Sequence, residues 1–541
     1  MGDLYFYNGE IVTVDKHDSI AQAVVVKGNK ILAVGSEEEV QSFVGPNTKR
    51  IDLQGKSLLP GFNDAHIHLV LYGVFQLALS CKEPKYQTLS TLLKDLKVRA
   101  QNTSDGRWVR AWGYNETKID EQRYPTIAEL DEVSSTLPVM IARTCGHICI
   151  MNSVAMKLAG IDATTPDPPG GIIEKDIHGN LTGRLIENAS MQVNNIATYT
   201  EEELVQAMKI ANEDFIKAGI TSISEAGTFG AESFRVLQQA VQNKTIQLRI
   251  YALLGSINDS KEFVENIMAS GIVTGTGSEW FKVGPAKLFT DGSSTGPTIA
   301  TREPYTSDPN DSGILYYTED EIYEVLGKAH RLGYQITVHA QGDKAIEMYL
   351  NCVERALNDH PRENHRHRIE HAGISTPDLQ ERMKQLNMIP IPNPPFPFEF
   401  GESYMKNYGD RTEFMYPAKD FIEQGIIAAA GSDAPVTHFN PLLGIHTAIN
   451  RKTKDGVLFG QSQQVSKEQA IKMYTWNGAY ASFEEEIKGS IEVGKLADLV
   501  ILNDSILSCE NDKIKDLEVI TTIIDGEIVY EKIPQLTNGG V

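Results

Sequence analysis

From residue 57 to residue 433 the chain repeats one unit: a short apolar run followed by a stretch of helical periodicity. The runs are 57–66 (SLLPGFNDAH), 220–226 (ITSISEA), 247–254 (QLRIYALL), 281–289 (FKVGPAKLF), 335–341 (QITVHAQ), 367–372 (HRIEHA), 388–393 (MIPIPN) and 426–433 (IIAAAGSD). Between them the periodicity predicts helices over 201–218, 231–242, 260–270, 319–332, 343–358, 376–386 and 417–424. Near-continuous apolar strands alternating with amphipathic helices call for a parallel sheet covered on both faces. Eight such units predict an α/β fold, a closed (β/α)8 TIM barrel, over residues 57–478.

Two departures from this rhythm add to the architecture. Strands one and two are separated by residues 70–219, far longer than a βα connection. That stretch has its own strands (RWVRAWGY, PVMIARTC) and turns, and is expected to be an inserted cap subdomain on the catalytic face. The chain ends, 1–56 and 479–541, both carry short β-type runs broken by N-G, G-N and D-G turns. They predict one small β-sandwich domain assembled from both ends.

The formal charge of −22, from 50 basic and 72 acidic residues, argues against nucleic acid or an anionic membrane as partner. The start has neither a basic n-region nor an apolar h-region, so a signal peptide is not expected, and no run approaches a membrane span. Five scattered cysteines suit reduced thiols and a cytoplasmic location. A barrel of this size is expected to form a homo-oligomer, a dimer being the simplest case.

The chemistry lies at the strand ends. His66 and His68 form H-x-H at the end of strand one, and residues two apart in a strand share a face, so both imidazoles can reach one metal ion. Strand five ends in His339, strand six in His371 and strand eight in Asp433. Three further strands ending in ligand-type residues make a metal centre the expected reading, with Zn2+ first and Mn2+ or Fe2+ as alternatives. Strand four carries Lys287, which a bound cation would repel as an ammonium. It makes sense there either as a clamp for a substrate anion or as a carbamate formed with carbon dioxide.

These residues resemble the metal site of the amidohydrolase superfamily. TWNGAYASFEEEIKGSIEVGKLADLVIL is similar to that superfamily's return from barrel to β-sandwich. GPAKLFTDGSSTGPTIATREPY, RWVRAWGYNET, CGHICIMNSVAM and GGIIEKDIHGNLTGRLIENA resemble the branch that includes N-substituted formamide deformylases. One departure is CGH at 145–147, where an acidic residue before Gly-His is familiar. The resemblance implies one or two divalent ions, with His66 and His68 on one and His339 and His371 on the other. It also implies a carboxylated Lys287 as bridge, and Asp433 as ligand and general base.

The expected reaction is hydrolysis of a small non-peptide amide, an N-formyl or N-acyl amine, by metal-activated hydroxide, with Asp433 as base and then acid. His147 is the candidate second donor to the developing oxyanion, the alternative being a structural histidine in the insertion. Trp112, Tyr114 and Asn115 are candidates for an aromatic substrate wall with one polar anchor, the alternative being positions in a packed core. Arg302 is a candidate partner for a substrate anion, a surface role being its alternative. Hydrolysis of a cyclic amide, or deamination, fits the same residues. A non-catalytic metal-binding or regulatory protein would be expected to show damage to the ligand set, and all six positions are chemically competent.

Overall fold

The computed structural model describes residues 1–81, 86–143, 148–168, 171–193 and 196–533. It divides into two compact units, Met1–Leu69 with Ala211–Val541, and Val70–Ile210. The first contains a seven-stranded, all-parallel sheet: β1 (Phe62–Ile67), β2 (Ile220–Glu225), β3 (Arg249–Leu254), β4 (Phe281–Phe289), β5 (Ile336–Ala340), β6 (Arg368–His371) and β7 (Ile389–Ile391). Each strand pairs with the next in the chain, so the sheet curls into a nearly closed barrel. β1, β2, β3 and β6 are buried along their whole length, which explains why these runs read as continuous rather than alternating.

The expected eighth strand, 426–433, forms no regular ladder, yet it occupies the closing position. Ala429 and Gly431 donate their N–H groups to Pro390 O and Pro392 O beyond one edge. On the other side Ala430 O accepts from Ala65, and His66 O accepts from Asp433. Pro390 and Pro392 have no N–H to return, so the pairing with β7 is one-sided.

The expected single strand 57–66 is also two strands. Ser57–Pro60 pairs with Leu499–Leu502 and Glu10–Val12 in another sheet, and the barrel strand starts at Phe62. Gly61 makes the change of sheet: its N–H goes to Asp498 O, and a Cβ there would sit 2.2 Å from Thr221 Oγ1. The helices fall close to expectation, for instance Glu201–Lys217, Ala231–Gln242, Ser260–Ser270 and Asp343–Asp359. Over 319–332 the helix is interrupted by a π-helical turn at Tyr323–Gly327.

Strands from both chain ends build two further sheets in this unit. One orders Lys30–Gly35, Ala23–Lys27, Leu4–Tyr7 and Lys49–Asp52; the other runs from Glu527–Glu531 through Val519–Ile524, Leu499–Leu502, Ser57–Pro60 and Glu10–Val12 to Ile20–Ala21. Phe6, Val24, Ile31, Leu58, Leu499 and Ile523 share one core across them. Arg249 of β3 anchors the barrel there through Asp498 (2.6 Å) and Asp525 (3.0 Å).

The second unit has a six-stranded mixed sheet ordered Gly171–Lys175, Leu181–Glu187, Ile148–Met151, Val139–Arg143, Val109–Tyr114 and Leu79–Ser80. Helices Leu89–Gln101 and Ile127–Val133 supply Leu92, Leu96 and Leu130 to its separate core. No helix among the described residues is long and apolar enough to cross a membrane.

Candidate metal centre

The first barrel strand and the closing segment bring three ligand-type side chains together. One ligand atom from each of His66, His68 and Asp433 lies within 4.8 Å of the others, and all three residues are buried. Gly431 permits the approach, since a Cβ there would meet His66 Cβ at 2.5 Å. The other two histidines continue the cluster: the His371 ring lies 4.6 Å from that of His66 and 4.5 Å from that of His339. His371 and Asp433 hold left-handed backbone, φ 72° and 57°, at a cost of about 1–3 kcal/mol each, a strain typical of functional positions.

What each imidazole does with Nδ1 decides where its lone pair points. His66 Nδ1–H donates to Glu370 Oε2 at 2.5 Å, and His68 Nδ1–H to Gly227 O at 3.2 Å. His339 Nδ1–H donates to Asp291 Oδ1 at 2.9 Å. His371 Nδ1–H donates to Asn393 Oδ1 at 2.6 Å, and Asn393 gives its own amide to Gly431 O, which fixes the orientation of the amide. With every Nδ1 engaged as a donor, each neutral ring presents Nε2 as an unprotonated acceptor.

Asp433 Oδ1 lies 3.3 Å from Nε2 of both His66 and His68, and the buried His66 Nε2 has no hydrogen-bond partner. Three acceptors converging at a largely buried point, one of them His66 Nε2 with no hydrogen-bond partner, form a pocket suited to a cation. Two neutral nitrogens and a carboxylate fit zinc or a similar divalent ion. Burial holds His68 and His371 below the usual histidine range, which keeps them in the ligand form.

Lys287, on β4, is fully buried and donates from Nζ to Ala226 O at 2.6 Å, one residue before the carbonyl that receives His68. Burial pulls its ammonium down to about 8 against the attraction of Glu370 and Asp433. Glu370 is itself buried, which opposes its charge. Arg368 (2.8 Å), with the His66 bond, outweighs that cost and holds the carboxyl well below the usual range.

A family model described as amidohydrolase matches residues 49–530. The chain belongs to the amidohydrolase family. It is 30% identical to an N-substituted formamide deformylase of Arthrobacter pascens, over 98% of this chain and 99% of the relative. It is also 30% identical to the putative amidohydrolase YtcJ of Bacillus subtilis, over 97% and 99% of the two chains. The crystal structure of an uncharacterized metal-dependent hydrolase from Pyrococcus horikoshii superposes with a TM-score of 0.79 at 25% identity, covering 94% of this chain and 99% of that one.

Of the remaining candidates of this amidohydrolase, one is not described and the others have partners within their own unit. His147 lies outside the described residues. Trp112, Tyr114 and Asn115 belong to the second unit. The Trp112 ring stacks on Phe75 at 4.6 Å, and Asn115 Oδ1 accepts from Thr117 N at 3.1 Å, capping a 3-10 turn. Arg302 is engaged by Glu347 (2.9 Å) and Asp378 (2.8 Å), the ion-pairing that a surface role describes. Sequence reasoning passed over Glu370, Asp291, Asn393 and Arg368. The first three stand beside a recognised ligand or just past a strand end, a position that marks outer partners as readily as ligands.

Proposed function

We propose that this amidohydrolase cleaves the C–N bond of a small linear amide, an N-formyl or N-acyl amine. The single observation that carries the hydrolytic reading is the convergence of His66 Nε2, His68 Nε2 and Asp433 Oδ1 as buried acceptors. The linear-amide class draws on the similarity to the Arthrobacter pascens deformylase. In this reading His66 and His68 hold one divalent ion, zinc by preference, and His339 and His371 a second. Lys287, once carboxylated by carbon dioxide, would add an anionic ligand to the set. When bound, such an ion supplies Lewis acidity, polarising a carbonyl and acidifying water.

The chain's own residues then do the positioning and the proton work. Glu370, Gly227, Asp291 and Asn393 hold the four rings so that each Nε2 faces the centre. Asp433 accepts the proton of the attacking water and returns it to the leaving nitrogen, one carboxylate serving as base and then acid. The two terminal sheets with their shared core form the β-sandwich that buttresses β3 through Arg249.

The test is a hydrolysis screen of metal-replete enzyme against N-substituted formamides, N-acyl amines and cyclic amides, with metal content measured on the same sample. Turnover of linear amides is expected, and Asp433→Asn should lower kcat about 10²–10⁴-fold. Turnover confined to cyclic substrates, or near-wild-type rates in the Asn variant, would overturn the assignment.

A further inference from the structure

The four Nδ1 partners are not of one kind. His66 and His339 each donate to a carboxylate, Glu370 and Asp291; His68 and His371 each donate to a neutral oxygen, a backbone carbonyl and an amide. A carboxylate behind an imidazole makes it a stronger, more imidazolate-like donor than a carbonyl does. The pattern therefore places one strong and one ordinary imidazole in each pair, His66 with His68 and His339 with His371.

Both carboxylates are themselves held in place. Glu370 is fully buried between Arg368 Nε (2.8 Å), Arg368 Nη2 (2.9 Å) and Thr337 Oγ1 (2.8 Å), and Arg368 Nη2 also reaches Ala65 O beside His66. Asp291, from the loop after β4, accepts N–H groups from Ala300 (3.2 Å), Gln341 (3.1 Å) and Gly342 (2.8 Å). Neither residue belongs to the group of converging ligand atoms. A buried carboxylate this well supported can orient a ring without itself moving towards the ion.

We propose that Glu370 and Asp291 are positioning residues that set metal affinity separately at two half-sites, Glu370 through His66 and Asp291 through His339. The inference rests on the two-ion reading above. Each carboxylate supplies the negative charge behind one ligand of one ion, so the effect of removing it is local to that ion.

The experiment is a competitive Zn2+ titration of metal-free protein against a chelator, with bound metal counted by elemental analysis. Wild type is expected to fill two sites. Glu370→Gln should weaken one of them about 10- to 100-fold and leave the other, and Asp291→Asn the reverse. In a His68→Ala background, which removes the first half-site, Glu370→Gln should have no further effect on the remaining ion while Asp291→Asn keeps its full effect. A merely structural role would weaken both sites together in either background. Fewer than two sites in wild type defeats the two-ion reading itself, and this inference with it. Two sites left unchanged, or weakened equally, by both variants defeats only the carboxylate assignment. Should Asp291→Asn fail to fold because its backbone contacts matter, the Glu370→Gln arm with and without His68→Ala decides the question alone.

Discussion

His367 stands just before β6 and His371 closes it, so one four-residue strand separates two histidine clusters. The first joins His330, His365 and His367; the second is the candidate metal centre. Apart from the half-buried His339 both are buried, and each includes an H-x-H pair: His365 with His367, His66 with His68. Their hydrogen bonds separate them. In the first cluster the rings bond to one another and to the backbone: His330 Nδ1 to His367 Nε2 at 2.8 Å, and His330 Nε2–H to His360 O at 2.7 Å. His367 Nδ1 accepts from Ile336 N at 3.2 Å, and His365 Nδ1 from His367 N at 3.0 Å. Both ring nitrogens of His330 and His367 are spent inside the protein. In the second cluster one nitrogen of each ring is spent and the other is presented. Burial and motif do not tell a structural histidine from a ligand; the account of its second nitrogen does.

A pair of alanine variants tests that contrast most sharply. His68→Ala is expected to abolish metal uptake at its half-site, with a cost to metal-free protein of about 1–3 kcal/mol from the lost ring contacts and one weak hydrogen bond. His367→Ala should instead keep metal content while costing about 2–4 kcal/mol through a cavity and the orphaned partners Ile336 N and His330 Nδ1. Denaturant melts and metal analysis of the two proteins read both effects. Metal loss in His367→Ala would erase the distinction.

Acid provides a second test. Burial, with His330 and Arg362 nearby, pushes His365 down to about 4, and burial holds His367 well below the usual range. Both are neutral when folded, whereas the unfolded chain binds protons near pH 6.5. This stability is therefore fully present above about 6.5 and is lost as pH falls towards 4, on the order of 3 kcal/mol for His365 alone. Denaturant unfolding of metal-free protein between pH 7.5 and 4.5 should show the loss. His365→Gln should flatten that part of the profile, and an unchanged slope would assign the pH dependence elsewhere.

The smallest expected effect is at Arg302. Its partially exposed pairs with Glu347 and Asp378 are worth about 0–1 kcal/mol. Arg302→Ala should leave kcat/KM within about twofold and stability within about 1 kcal/mol. A large rise in KM for an anionic substrate, with kcat held, would instead support its reading as a substrate partner.

Much of the barrel was legible because its signals are local. Strand runs such as 281–289 and helices such as 231–242 follow from residues within one window, and the structure returns them as Phe281–Phe289 and Ala231–Gln242. Two errors came from events that periodicity does not encode. The break at Gly61 depends on Thr221 lying against it, and the irregular eighth segment on the prolines of the neighbouring run. The placing of His66, His68, His339 and His371 at or beside strand ends was likewise readable, because in a parallel barrel the carboxyl ends of strands share one face.

The sequence by itself determined a parallel barrel and the residue types at its mouth, since alternation and strand-end position are properties of neighbouring residues. Only the tertiary structure decided which nitrogen of each ring is free to bind. It also decided that one H-x-H pair is spent on its neighbours while the other faces Asp433, and that Arg302 is held by Glu347 and Asp378. The physical reason is distance along the chain: His66 is turned by a carboxylate 304 residues away, and no local pattern records a hydrogen bond of that span.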